Sequence, residues 1–163
     1  MIALTAEELL AWADRTATEW RALLTAHPEA LAFPCDVNEG QSVADLVQHI
    51  VQAELGYATR LCSTTGFPRE QLQVRTADTL YAIHDRAMEM LRDLLSQEQV
   101  DWEQLLEFSP RGAAAFVATR RTVFVHLLMH SIRHHAQLAS AVRRGGVRAD
   151  WGMDYLFMGV HER

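Results

Sequence analysis

The chain is expected to be all-α, most simply a four-helix bundle with a short C-terminal helical segment. Three observations point there: four stretches in which apolar residues recur at three and four, capping residues ahead of the first two of them, and almost no alternating strand pattern. At 163 residues one domain spanning 1–163 suffices, large enough to bury about 70% of the surface an unfolded chain exposes. Apolar residues make up 49% and charged residues 22%, as in ordered globular proteins rather than disordered ones.

The first helix opens with a capping box, Thr5 followed by Glu8, and carries Leu9, Leu10, Ala13, Trp20, Leu23 and Leu24 at helical spacings. It should stop near Pro28. After a loop with Pro34, Asn38 and Gly40, Ser42 with Asp45 caps a second helix running to about Ser63, ahead of Gly66-Phe67-Pro68. Val43, Val47, Ile50, Glu54 and Leu61 form its stripe, Leu46 and Tyr57 lie beside the stripe, and His49 sits at its edge. A third helix is expected from about Asp78 to Ser96 on Leu80, Ile83, Ala87, Met90, Leu91 and Leu94. Between 97 and 118, Trp102, Leu105, Leu106 and Phe108 imply a packed connection, and Ser109-Pro110-Arg111-Gly112 reads as a turn. The fourth helix, about Thr119 to Arg144, has no interior proline or glycine and closes on Gly145-Gly146. Trp151, Tyr155, Leu156 and Phe157 should pack in a final turn or two.

A net charge of -6 argues against nucleic acid as the main partner, because phosphate neutralisation needs clustered cations. The pairs Arg120-Arg121 and Arg143-Arg144 are read as solvated helix ends. No apolar stretch approaches the ~18 residues of a membrane span, and the N-terminal segment lacks the pattern of a secretory signal. Cys35 and Cys62 make neither a disulfide framework nor a Cys-x2-Cys metal pattern. The expectation is a cytoplasmic protein with a small-molecule substrate.

Histidines carry the chemistry. His130 and His134, four apart on the fourth helix, share one face and can offer two imidazoles to one ion. His49, if it reaches the same point, completes three protein nitrogens with a fourth position open, the arrangement of catalytic zinc. His126 lies one turn before His130, so spacing alone equally permits the pair His126 and His130. His126, His130, His134 and Gln137 fall in an arc of about 80° at ~100° per residue, bordered by Val123 and Leu127, which places the polar stripe toward the interior. His135 points about 100° away from His134 and is expected to be exposed or in a groove. His84 and His161 have no company that singles them out. The segment from His130 to His134 has the spacing of the zinc-protease motif, but Ser131 stands where that motif has its general base. Glu54 is the nearest candidate acid or base in sequence, with a paired carboxylate at the helix edge as the plainer reading.

Ser42 to His49 and the run His126-Leu-Leu-Met-His130-Ser-Ile-Arg-His134-His135-Ala136-Gln137-Leu138 together resemble the DinB/YfiT-like family, whose members are regarded as metalloenzymes. The family's usual run is His-x3-His-Arg-Gly-Gln-Leu. The resemblance places His130 and His134 on its two late ligands, His49 on its early ligand and Gln137 on its glutamine, and leaves His126 as an outer-shell or core residue. Gly145-Gly146 and Asp154-Tyr155-Leu156 also look like the family. His135 and Ala136 replace its arginine and glycine, and Ser131 a frequent glutamate.

The resemblance implies a bundle with non-simple connectivity, a divalent ion such as zinc or nickel on three histidines, and a homodimer. It also implies thiol-dependent S-transfer or isomerisation with a low-molecular-weight thiol. The alternatives are a metal-hydroxide hydrolase of a small ester, amide or phosphoester, and a non-enzymatic helical binding module whose histidines are structural or hold haem. For the dimer, Trp12 and Phe157 are the expected contact residues. No residue beyond the ligands is assigned a catalytic role.

Overall fold

A computed structural model describes residues 4–37, 41–62, 72–108 and 116–159. Four helices dominate: α1 Ala6–Ala26, α2 Val43–Leu61, α3 Ala77–Leu95 and α4 Arg120–Arg144. Each starts where a side chain relieves the unpaired amides of a first turn. Thr5 and Glu8 cap α1 reciprocally, Ser42 and Asp45 cap α2, Thr76 and Thr79 cap α3, and the Thr119 hydroxyl accepts from the Thr122 amide at α4. The α3 box was not visible beforehand, because threonine stands where glutamate or glutamine usually marks the motif.

The end of α4 is a Schellman motif. The Val147 amide donates to Val142 at 3.2 Å and the Gly146 amide to Arg143 at 3.0 Å. Gly146 supplies the left-handed step at φ 94°, which costs glycine little. Gly145 serves a different end: a Cβ there would fall 2.1 Å from Cδ2 of Phe33, so its missing side chain lets the α1–α2 connection close over the helix end.

Helix α2 packs against α3 and α4, and α1 packs against the same two. The order around the bundle is therefore α1, α3, α2, α4. Consecutive helices α1 and α2 lie on a diagonal, the non-simple connectivity that the resemblance implied. Between them the chain makes a 3-10 turn, Pro28–Ala32, and a single bridge from Pro34 to Ser42. Trp20, Leu24, Leu46, Ile50, Leu55, Leu61, Leu80, Ile83, Met88, Leu91 and Leu127 are fully buried, each side chain contributing roughly 1.5–3 kcal/mol of transfer free energy. No helix among the described residues is long and apolar enough to cross a membrane.

The connection from α3 to α4 holds a feature the sequence concealed. Leu105–Phe108 (β1) and Phe116–Thr119 (β2) pair antiparallel, Leu105 opposite Thr119 and Leu106 opposite Ala118. The strands are four residues long and Leu105-Leu106 breaks the alternation, so periodicity carried no signal. The ladder satisfies the backbone locally and continues through Arg120 N–H to Gln104 and Arg121 N–H to Trp102. The expected turn at Ser109 to Gly112 lies outside the described residues.

Arg120 is not a solvated helix end. It is buried and donates to the Asp101 carbonyl at 3.3 Å, because the hairpin folds back over the first turn of α4. Arg143 and Arg144 are exposed as expected. The tail makes a 3-10 turn, Tyr155–Met158, but packs less than its aromatic content suggests. Trp151 meets Trp20 edge-on at 5.2 Å and Tyr155 meets Trp12 at 5.5 Å, while Leu156 is 72% and Phe157 40% exposed. A single 3-10 turn eclipses its side chains and cannot turn all of them inward.

Candidate metal centre

Helices α2 and α4 bring His49, His130 and His134 together. One ring nitrogen from each lies within 4.8 Å of the others, and no other group of three or more histidine, cysteine or carboxylate residues does so among the described residues. Ring centroids are 4.4 Å apart for His130 and His134, 4.9 Å for His49 and His134, and 5.5 Å for His49 and His130. The capping box of α2 places its first turn, and His49 follows on the second, at the border between the core stripe and solvent. His49 and His130 are half-buried and His134 is buried.

Gln137 settles which nitrogen of His134 faces the cluster. Its Oε1 lies 2.6 Å from Nδ1 of His134, and a carbonyl oxygen can only accept, so Nδ1 carries the proton and Nε2 presents its lone pair. That Nε2 is 3.2 Å from Nε2 of His130. Burial holds the His130 imidazole down to about 3, helped by His134 and His49 beside it. Burial likewise lowers His134, against the hydrogen bond that it donates to Gln137. Both rings are therefore neutral near pH 7, the form that coordinates a metal.

This chemistry fits a divalent ion: three converging imidazoles, two of them held neutral with facing Nε2 atoms, and an outer partner that fixes ring orientation and tautomer. Gln137 is exposed, so its bond to His134 is a local one within α4.

His126 lies at the flank of the cluster, not in it. It is exposed, its ring centroid is 5.6 Å from His130, and its Nε2 is 3.4 Å from the Tyr57 hydroxyl of α2. The polar stripe of α4 thus runs along the α2–α4 seam toward solvent instead of into the core. Two neighbours went unrecognised as site residues in the sequence. Tyr57, two turns beyond His49, has its ring 6.4 Å from His130, and Arg133 has Nη2 3.2 Å from Nε2 of His134. The first had a usable signal, its i+8 spacing from His49. The second had none, since consecutive helix residues do not ordinarily share a face.

His135 overturns its expectation: it is 3% exposed. Helix α4 contacts both α1 and α2, so a second face of it is buried, and the ring lies between Trp20 and Tyr81 with centroids at 6.4 Å from each. Its Nδ1–H donates to the Ser131 carbonyl at 3.0 Å, and its Nε2 accepts from the Tyr81 hydroxyl at 3.4 Å. Burial pushes its pKa down to about 4, in keeping with a neutral ring.

Ser131 and Glu54 belong to the same core network. The Ser131 hydroxyl donates to Oε1 of Glu54 at 2.5 Å, and Nδ1–H of His84 donates to Oε2 at 2.8 Å. Nε2 of His84 lies 3.5 Å from Asp14, which Arg92 grips from the surface. Burial would raise the Glu54 carboxyl, but His84 and Ser131 outweigh it and the net shift is downward. Burial would lower His84, yet Glu54 and Asp14 raise it to about 10. Glu54 is thus a paired carboxylate, as its plainer reading had it, though in the core rather than at the helix edge. It is not among the residues converging with the three histidines. His84, without apparent company in the sequence, sits at the centre of the network. His161 lies outside the described residues.

A helical bundle whose facing α2 and α4 converge three imidazoles belongs to the class of proteins that build candidate ion sites between helices. The family model of the DinB family matches residues 1–160, and the chain belongs to that family. No curated protein matched the chain in a sequence comparison.

Proposed function

We propose that the chain is a metal-dependent enzyme holding zinc or nickel through His49, His130 and His134, and that its reaction is thiol-dependent S-transfer or isomerisation with a low-molecular-weight thiol. The observation that carries the metal reading is the pairing of Gln137 with Nδ1 of His134, which leaves Nε2 facing His130. An ion bound there would act as a Lewis acid, bringing the pKa of a coordinated thiol or water toward neutrality. The chain's own residues position it. Gln137 holds the His134 ring, His49 approaches from α2, and half-burial of His49 and His130 leaves the cluster open on its solvent side.

Metal content of untagged protein by inductively coupled plasma mass spectrometry tests this reading. A near-stoichiometric ion in wild type and His126→Ala, lost in His49→Ala and His130→Ala, is the expected result. No ion in wild type after addition of zinc or nickel refutes it and favours a helical binding module. Thiol consumption with bacillithiol, mycothiol or glutathione and a general electrophile, above the His130→Ala background, tests the reaction. Turnover without added thiol would instead support hydrolysis of a small ester, amide or phosphoester.

We also infer a homodimer through the tail. Leu156 and Phe157 are exposed, the neighbouring Tyr155 meets Trp12, and the Phe157 carbonyl is tied to Arg15, which leaves apolar side chains of the tail facing solvent. A monomeric mass by light scattering would refute it.

A further inference from the structure

The proposed ion site has an unbalanced charge. Three neutral imidazoles leave the two positive charges of a divalent ion uncompensated, and the one carboxylate in the adjoining core, Glu54, is committed to His84 and Ser131. Arg133 adds a third positive charge beside them. Its Nη2 donates to Nε2 of His134 at 3.2 Å, the lone pair that an ion would need. One lone pair cannot serve both, so an ion at this site displaces the guanidinium from His134. Among the described residues no carboxylate lies within ion-pair distance of Arg133, and the side chain is exposed.

A guanidinium freed next to a divalent cation is stabilised by an anion lying between or beside them. The Tyr57 hydroxyl, 3.4 Å from His126 and with its ring 6.4 Å from His130, offers a further polar group beside the cluster.

We propose that Arg133 is the anion-recognising residue of the site, and that the physiological ligand carries a fixed negative charge a few atoms from its ion-binding atom. This rests on the three-histidine reading above and narrows it to anionic thiols or substrates over neutral ones. Arg133 acts as a specificity determinant; it is not assigned a part in bond making or breaking.

The test uses cobalt-loaded full-length protein and its visible ligand-field bands. The probes are 2-mercaptoethanesulfonate, whose sulfonate is a poor metal ligand, and neutral 2-mercaptoethanol. Wild type should bind the sulfonate thiol about tenfold more tightly than the neutral one, as one partly desolvated ion pair would produce. Arg133→Gln should lose that preference while keeping the cobalt spectrum and its affinity for 2-mercaptoethanol, and Arg133→Lys should keep part of it. Equal preference in wild type and Arg133→Gln overturns the assignment of Arg133 and leaves the ion site standing. Absence of a cobalt spectrum that depends on His49 and His130 overturns both.

Discussion

Replacing Glu54 by glutamine keeps the shape of the side chain and removes the charge at the centre of the buried network. In the native protein His84 is held protonated, its pKa raised to about 10 from an ordinary 6.5, chiefly by Glu54 and Asp14 against its own burial. Linkage converts the part of that gap lying above pH 7, less a small correction for imidazole already protonated in the unfolded chain, into ~4 kcal/mol of stability. Asp14 supplies a share of this and remains in the variant, so Glu54→Gln is expected to lose about 2–4 kcal/mol. The Ser131 hydroxyl still finds an oxygen on the amide. For a chain of this length each kcal/mol moves the melting temperature by about 2–4 °C, a fall of roughly 5–15 °C in thermal melts followed by circular dichroism.

The pH dependence gives the loss a signature that a cavity would lack. His84 has a raised pKa, so its contribution is complete below 6.5 and disappears as pH rises through about 10. Glu54 has a lowered pKa, so its contribution is present above its ordinary value of 4.5 and disappears as pH falls below it. The wild-type advantage should therefore be greatest between these limits and narrow toward both ends. Urea unfolding of both proteins at pH 7 and at about pH 10 measures it. A difference under ~1 kcal/mol at pH 7, or one that stays constant up to pH 10, refutes the argument that the pair is charged.

Gln137→Ala should weaken zinc retention about 10–100-fold while leaving stability of the metal-free protein within about 0.5 kcal/mol, as read by chelator competition and urea unfolding. Gly145→Ala should destabilise by about 1–3 kcal/mol, since its Cβ meets the Phe33 ring; Phe33→Leu in the same chain should restore part of it, and no rescue would count against the close-approach explanation. Gly146→Ala should cost about 1 kcal/mol from its left-handed backbone alone, with no rescue by Phe33→Leu. Ser42→Ala should cost about 1 kcal/mol through loss of the α2 cap, and a thermal melt unchanged from wild type would contradict it.

Helix positions and the sharing of one face by His130 and His134 were legible because both depend on local periodicity, whereas the approach of His49 from another helix was left conditional by spacing and came only from the resemblance. Capping boxes at Thr5 and Ser42, the glycine stop at Gly145-Gly146, and the one-turn offset of His130 and His134 are all set by bonds spanning five residues or fewer. The resemblance supplied what spacing left open, namely His134 rather than His126 as the partner of His130. His134 lies with His49 and His130, and His126 stands at the flank beside Tyr57.

Tertiary structure decided what depends on more than one helix. Whether His135 is exposed turns on α4 having two buried faces, which follows from the diagonal placement of α1 and α2 and is absent from any single periodicity. Glu54, His84, Asp14 and Ser131 come from four different helices, so their network has no signature along the chain. The hairpin before α4 draws its stability from pairing across residues up to fourteen apart, Leu105 with Thr119, and it buries Arg120 by folding back. Arg133 reaches the nitrogen of its own neighbour through a long, flexible side chain, a contact that helical spacing does not announce. Local order was written in the sequence by short-range hydrogen bonds and apolar spacing; the charges and partners of the buried histidines were set by the packing of helices distant in sequence.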